Sequence, residues 1–324
     1  MIMKDSQLFS VVILSWNRKD DTLPAIQSVF SQSNCTDSLE CVIVDQGSTD
    51  GSVEDIERFK DQNQNYNIKL IKLQKNLGVP GGRNVGIQNA SGKILVFLDN
   101  DAEIDKNALD LIKKIFEKEP RSILSFQAIN FYTNQPDLSS WVYPKRMLPK
   151  IDEEFESNTY WGGGHSMMAD LFKEVGLYDE TLFFCNEEED ISFRAIDGGF
   201  KIIYCPAIKV YHKNSQEFKF SWGSKRYYFF VRNRLYLCWK YLPLIPAVSR
   251  SFMYIIGYPI KAIPNKTLKQ SIKGIFNAFK LFPRAFSLRK PVKLSTYKKM
   301  RSIEQKQRGN FWLRLRYELL SKKT

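Results

Sequence analysis

The chain has 324 residues, 43% of them hydrophobic, with 48 basic and 35 acidic side chains and a formal net charge of +13. That length suits one large domain or a domain with an appendage. The five cysteines (Cys35, Cys41, Cys185, Cys205, Cys238) form no CxxC pair, which excludes a disulfide framework or zinc ribbon and points to a reducing compartment.

The N-terminus lacks a signal-peptide pattern. No stretch reaches the roughly 18 apolar residues of a spanning helix; the nearest, 251–263, is interrupted by Gly257 and Pro259. Residues 9–15 are a β-branched run that reads as a buried strand. Asp20 or Asp21 caps a helix running to about Gln32, with Pro24 in its first turns. Residues 40–45 form a second strand, 47–51 a turn, and 52–59 have helical spacing. A third strand at 68–73 and a helix at 80–90 with a glycine-rich entrance follow. The fourth strand, 93–99, is followed by a helix at 107–117 with Leu109, Ile112 and Phe116 on one face. Alternation of this kind predicts a mostly parallel sheet covered on both faces. Residues 122–131 read as another strand, 133–159 as a long loop, and 161–169 as strand-like behind three glycines. A helix at 187–196 and two short strands at 200–204 and 208–212 complete this part.

Charge divides the chain. Residues 1–208 carry 21 basic and 32 acidic side chains, and residues 209–324 carry 27 and 3, so a net −11 meets a net +24. No Asp or Glu lies between Glu217 and Glu304. The break predicts two regions with different jobs, an acidic one and a cationic one that seeks anions.

In an open α/β sheet, ligands sit at the carboxyl ends of the strands. Asp45 and Asp99 fall at such ends, and Asp101 follows. Two carboxylates one residue apart repel unless a cation neutralises them, and their hard oxygens suit Mg2+ or Mn2+ completed by substrate phosphates. An isolated DxD is more often a strand cap and a turn. This one follows Gly78, Gly81, Gly82 and Arg83 at a helix N-terminus, a combination that can hold phosphate. No GxGxxG or GxxxxGK[ST] pattern occurs, which argues against a dinucleotide-binding dehydrogenase and a P-loop NTPase.

Four blocks carry a resemblance: "VVILSWNRKDDTLPAIQSV", "CVIVDQGSTDGS", "NLGVPGGRNVGI…GKILVFLDNDAEI" and "GLYDETLFFCNEEEDISFRAIDGGFKIIYCPAIKVYHK". In order and spacing they resemble inverting glycosyltransferases of family 2, which have the nucleotide-sugar-binding GT-A fold. Bacterial enzymes that add rhamnose or galactose to cell-surface polysaccharides are the most similar. The resemblance implies an α/β GT-A domain over 1–213, with a nucleotide-binding half to about 102 and an acceptor half over 103–213. The remainder, 214–324, is expected to be a basic, mainly helical region.

Residue by residue, the resemblance implies that Asp45 bonds the nucleotide base near Trp16 and Asn17. Asp99, with Asn100 beside it, would face the ribose or the metal. Asp101 and His212 would hold Mn2+ or Mg2+, and Gly78, Gly82 and Arg83 the nucleotide sugar. Trp161 and Gly163 would shape the sugar pocket. His165 reads equally well as a core or a functional residue. The family writes Glu-Asp-x-Asp ahead of a helical Arg, whereas this chain writes Glu187-Glu188-Glu189-Asp190 ahead of Arg194. The matching base is Glu188, longer by a methylene, about 1.5 Å, with Asp190 as the alternative. Acids in a first helical turn also favour the macrodipole, by roughly 0.3–1 kcal/mol each, but four exceed that need.

The basic region mixes cations with large aromatics, as in 225–241, where Arg232-Asn233 matches an "RN" pair of similar proteins. Apolar runs at 251–263 and 272–286 are spaced by Lys and Arg. This suits an anionic membrane surface or packing on the catalytic domain better than nucleic acid, for which no module is recognisable. The expected protein uses a UDP- or dTDP-sugar and a lipid-linked glycan acceptor at the cytoplasmic face of the membrane, with no nucleic-acid partner. The alternatives are a catalytically inactive nucleotide-sugar-binding protein and a nucleic-acid-binding protein using the basic tail.

Overall fold

The structure is a computed structural model that describes residues 8–33, 38–213 and 216–309, with only the backbone course given for 216–224. Cys35 and residues 310–324 of the basic region lie outside the described residues.

The first half follows the expected alternation: β1 (Phe9–Ser15), α1 (Lys19–Phe30), β2 (Leu39–Asp45), α2 (Ser52–Gln62), β3 (Asn67–Lys72), α3 (Gly78–Asn89) and β4 (Ile94–Asp99). The order β3-β2-β1-β4 is parallel throughout. Phe9, Val11, Val12 and Ile13 are buried on both sheet faces, as an unbroken β-branched run requires. Leu14 pairs with Asp99 and Ser15 with Asp45, so the acids finish side by side at one edge.

The second half is mixed. It comprises β5 (Ala102–Ile104), α4 (Ala108–Lys118), β6 (Ser122–Asn130), β7 (Phe155–Glu156), β8 (Gly164–Met168), α5 (Asp170–Val175), α6 (Glu187–Asp197) and β9 (Lys201–His212). The sheet continues from β4 through β8, β6 and β9 to β5, with β8 antiparallel to both neighbours. The mostly parallel expectation thus holds only for the first half. β8 is reached through the long segment 131–163 and not through a helical crossover, so it can reverse direction. The strands expected at 200–204 and 208–212 are one strand, since both pair with β6. A bulge lies between them: Phe126 faces Cys205 and Gln127 faces Lys209. Pro206, which has no N–H for a ladder, sits in that bulge.

The basic region folds as α7 (Gln216–Tyr241), α8 (Leu244–Ala262), α9 (Leu268–Lys280), α10 (Phe282–Ser287) and α11 (Leu294–Arg308). It packs back on the sheet-bearing part. Tyr236, Leu237 and Tyr241 of α7 bury Leu182 and Phe193. α11 docks on the 145–158 segment, where Asn158 donates to the Met300 carbonyl (2.6 Å) and Gln307 to that of Glu156 (2.9 Å).

Candidate active site

The strand tips are stitched to one another. Asp45 is buried and accepts from Gly47 N–H (3.0 Å), Ser48 N–H (2.9 Å) and the Ser48 hydroxyl (2.5 Å). Asn17, at φ 50°, donates its N–H to Ser48 Oγ (2.9 Å) and accepts from Thr49 N–H (2.8 Å). Asp45 is therefore held in place by its own turn, with Oδ2 accepting a single bond and able to accept another. Trp16 stands exposed beside this turn at 37%.

Asp101 and His212 meet because β5 pairs with β9, placing Ala102 opposite His212. His212 Nε2 lies 3.5 Å from Asp101 Oδ1, and Arg18 approaches Asp101 Oδ2 at 3.0 Å. On its other side, His212 Nδ1 is 2.8 Å from Asp137 Oδ2 and 3.2 Å from Ser140 Oγ. Burial opposes a charged imidazole, but Asp101 and Asp137 outweigh it and His212 is pushed up to about 10. Burial likewise opposes ionisation of Asp101 and Asp137, yet the facing imidazole, with Arg18 or the Ser139 and Ser140 hydroxyls, lowers both. Asp99 moves the other way, raised by burial and then by the charge of Asp101.

Among the described residues no three His, Cys, Asp or Glu side chains converge as a cage. Asp101 and His212 supply two donors close enough to share one ion, and Asp137 on Nδ1 orients Nε2 outward, as carboxylates behind ligating histidines do. In this structure Arg18 and the imidazolium supply positive charge at Asp101. The residues fit a cation that draws its remaining ligands from substrate phosphates and water.

The acid run of α6 divides by helix geometry, since successive residues turn by about 100°. Glu188 faces a cavity of about 660 Å³ with Asp99, Arg83, Trp161, Gly163 and His212. Arg83 Nη1 lies 3.4 Å from Glu188 Oε1, while Nη2 donates to the Gly162 carbonyl (2.7 Å). Glu187 is buried behind it. Burial and then the Glu188 charge push Glu187 up to about 8, and its Oε2 has no hydrogen-bond partner among the described residues. Asp190 points the opposite way and is fully buried. It pairs with Arg194, Lys240 (3.2 Å) and the Tyr241 hydroxyl (2.6 Å). Asp190 is thus a tie between α6 and α7, which corrects its place as the alternative base.

Glycines make room for the two cavity carboxylates. A Cβ on Gly162 would stand 2.0 Å from Glu188 Oε1, and one on Gly163 2.8 Å from Asp99 Oδ2 and 2.5 Å from the Trp161 ring. Trp161 is 8% exposed and lies T-shaped to His212 (5.6 Å between ring centroids), so little of its ring is open to the cavity.

The glycines of α3 have packing roles, which corrects their assignment to the nucleotide sugar. A Cβ on Gly78 (φ 76°) would strike the Phe183 carbonyl at 2.1 Å, and one on Gly82 would press on Gln46 and Leu14. The N–H of Gly78 goes to Asn76 Oδ1 (2.7 Å) and that of Val79 to the Phe183 carbonyl (2.8 Å). Those groups are unavailable to a phosphate, and Arg83 braces the cavity wall instead of a phosphate cradle. Asn100 donates to Thr22 Oγ1 (3.2 Å), and His165 is a core residue stacked on Phe97 at 4.7 Å, its basicity suppressed by burial.

Sequence reasoning missed Asp137, and held Gly162 and Glu187 only as members of the glycine run and the acid run. It also saw the "RN" pair without its use. Asn233 Nδ2 lies 2.7–3.0 Å from the carbonyls of Leu182, Phe184 and Cys185. Arg232 reaches those of Thr181 (2.8 Å) and Leu182 (2.7 Å). Together they clamp a turn in which Phe183, Cys185 and Asn186 adopt φ of 59°, 66° and 68°, immediately ahead of Glu187 and Glu188. Left-handed backbone at non-glycine residues needs such over-determination.

Relatives and solved structures bear on the family and the fold. The Bacillus subtilis (strain 168) minor teichoic acid biosynthesis protein GgaA is 27% identical over 184 residues, covering 55% of this chain and 41% of that protein. The poly(ribitol-phosphate) beta-N-acetylglucosaminyltransferase TarS of Staphylococcus aureus (strain Mu50 / ATCC 700699) is 31% identical over 102 residues, 31% of this chain and 17% of that one. The chain spans about two-fifths or less of the length of the curated relatives named here. Among solved structures, the mannosyltransferase PcManGT of Pyrobaculum calidifontis in complex with GDP-Man and Mn2+ superposes with a TM-score of 0.58 at 15% identity. It covers 97% of this chain and 88% of its own. TarS 1-349 of S. aureus in complex with UDP-GlcNAc gives 0.57 at 15% identity, with 94% and 93% covered. These likenesses establish a GT-A fold. Residues 10–176, just over half of the chain, match the family described as glycosyl transferase family 2, and the chain belongs to that family.

Proposed function

We propose that the protein is a metal-dependent, inverting glycosyltransferase that moves a sugar from a UDP- or dTDP-sugar to a glycan acceptor. The observation that carries the reading is the cavity in which Glu188 faces Asp99 and His212, with Asp101 adjoining His212. Asp101 and His212 would hold Mn2+ or Mg2+, which when bound offsets charge on the departing diphosphate. Two solved structures with this fold carry Mn2+ together with nucleotide or nucleotide-sugar ligands, GalNAc-T7 with UDP, GalNAc and Mn2+ and PcManGT with GDP-Man and Mn2+, which supports the cofactor. Trp16 and Asn17 border the nucleotide base, Asp99 faces the ribose and sugar, and Trp161 with Gly162 and Gly163 shapes the sugar pocket.

In the transfer, Glu188 accepts the proton of the acceptor hydroxyl as that oxygen bonds the anomeric carbon. The bond from that carbon to the diphosphate oxygen breaks on the opposite face, which inverts the configuration. Arg83, against both the Gly162 carbonyl and Glu188, fixes where that carboxylate stands. Its reach of the hydroxyl is the geometric requirement of general-base catalysis. Gly162 leaves room for the Glu188 carboxylate, whose Oε1 would stand 2.0 Å from a Cβ there.

The same reading places the protein on the inner face of the cell membrane, acting on a lipid-linked glycan in cell-surface polysaccharide synthesis. Relatives named for teichoic acid biosynthesis support that setting. No helix among the described residues is long and apolar enough to cross a membrane. Ile245, Phe252 and Ile260 on α8 and Ile272 and Phe276 on α9 are nonetheless exposed, in a region without acids from 218 to 303. Exposed apolar stripes flanked by lysine suit an anionic lipid surface.

Calorimetry with UDP- and dTDP-sugars, with and without Mn2+, tests the core of the reading. Metal-dependent binding of one donor and release of free nucleoside diphosphate are expected. Release of pyrophosphate would instead mark nucleotidyl transfer. Binding without turnover on any acceptor would favour an inactive binding protein. Sedimentation with phosphatidylglycerol vesicles but not with RNA is expected for the basic region.

A further inference from the structure

The cavity has two electrostatic ends. At one, Asp99, Glu187 and Glu188 surround Arg83; at the other, Arg226, Arg234, Arg250, Arg301 and Arg308 line the wall with Glu189 and Glu304. Arg234 pairs with Glu189. Arg250 and Arg301 converge on the same oxygen, Glu304 Oε2, at 3.1 and 2.6 Å, and Arg308 approaches its other oxygen at 3.4 Å. One carboxylate balances one guanidinium, so this end keeps positive charge. Arg250 and Arg301 are 25% and 34% exposed, shielded by the cavity yet open to it. They arise from α8 and α11, and the strand tips to which the donor's diphosphate is assigned belong to the sheet. A cationic wall of the same cavity is therefore left for the other substrate. Guanidinium forks match phosphate oxygens and form charge-assisted pairs with them.

We propose that Arg250 and Arg301 bind a phosphate group of the acceptor, so that the protein acts on a phosphate-bearing chain and not on a neutral glycan. This rests on the glycosyl-transfer reading above. The phosphate has two possible sources with one chemistry: a phosphodiester within a polyol-phosphate polymer, or the diphosphate of a polyprenyl carrier.

The test uses the full chain and three probes: a glycerol phosphate hexamer, a neutral hexasaccharide, and a polyprenyl diphosphate disaccharide in phosphatidylcholine vesicles. Calorimetry reads the soluble probes and sedimentation the vesicles. The Arg250→Gln and Arg301→Gln variants are each expected to weaken the phosphate-bearing probe about tenfold while the affinity for nucleotide sugar stays within experimental error. Glu304→Gln, which removes the competing carboxylate, is expected to tighten it; a merely structural role for the cluster gives no such gain. Binding of the hexamer assigns a polymer phosphodiester, and binding confined to the vesicles assigns the carrier diphosphate. Arginine variants that bind both phosphate probes like the parent, Glu304→Gln weakening them, or the neutral probe losing as much affinity would each overturn the proposal. A parent chain that binds no nucleotide sugar would sink the transfer reading instead, and the response to the phosphate probes remains a separate readout.

Discussion

The sheet-bearing part, residues 8–213, and the helical part, residues 216–309, differ in almost every physical respect, yet neither finishes the site alone. The first is net acidic and ordered by β-branched runs. The second is cationic and held by aromatic contacts such as Tyr236 and Tyr241 around Leu182. Their boundary is electrostatic as well as apolar: Lys240 reaches Asp179 (2.6 Å) and Asp190 (3.2 Å), Arg234 pairs with Glu189, and Lys299 meets Glu156 (2.8 Å). Part of the tail's charge is thus consumed inside the molecule, and only the remainder is open to lipid or phosphate. The division of α6 follows from this: Glu187 and Glu188 gather at Arg83, Glu189 pairs with Arg234 at the cavity wall, and Asp190 serves the helices behind it.

That division can be broken experimentally. The largest effect is expected for Glu188→Gln, a fall in kcat of roughly 10²- to 10⁴-fold, with donor affinity by calorimetry retained. If the helical part were a loose appendage, Asp190→Asn would cost little. Instead it should destabilise by about 3–5 kcal/mol, because it leaves Arg194 without its carboxylate and Lys240 with Asp179 alone, as read by denaturant unfolding. Asn233→Ala comes next, at about 1–3 kcal/mol for stranded carbonyls. There kcat should fall more than donor affinity, since the turn ahead of Glu188 loosens; an unchanged kcat would mean that the clamp does not position the base.

A smaller, pH-graded effect sharpens the contrast within α6. The carboxyl of Glu187 is raised to about 8 by burial and by Glu188, above its unfolded value of 4.5. The folded state then binds the extra proton. The stability this provides is full below the unfolded value and is lost as pH rises through the folded one. Glu187→Gln should therefore gain on the parent between about pH 4.5 and 8 and level off above, read as a pH-graded rise in Tm relative to the parent. A difference that stays flat with pH would contradict the assignment. The smallest change is expected for Lys299→Ala, within about 1 kcal/mol, because its pair with Glu156 is half exposed.

Legibility in the sequence followed local physics. Unbroken apolar runs located β1, β2 and β4 to within a residue, and the motif order brought Asp99, Glu188 and His212 to one cavity. Pairing was less legible. Only the reversal of β8 and the β5–β9 register decide which groups meet, and neither leaves a local periodicity. Asp137 lay in a loop with no repeat to read. The glycines of α3 looked like a phosphate cradle because open backbone and tight packing call for the same residue. The direction of Asp190 was recoverable, since it lies two residues from Glu188, about 200° around a helix, and four before Arg194. The arginine wall was not, because its members are scattered from 226 to 308.

The clamp of Asn233 on the 182–185 carbonyls has a temporal consequence. During synthesis the sheet and all of its acids emerge before residue 233 does, so a nascent chain carries the base on a turn that nothing yet fastens. On the proposed role of Glu188, competence arrives late, when α7 docks, and a protease nick between 213 and 233 is expected to lower turnover without touching one cavity residue of the sheet. Following turnover while such a nick is introduced would time that loss against release of the helical part.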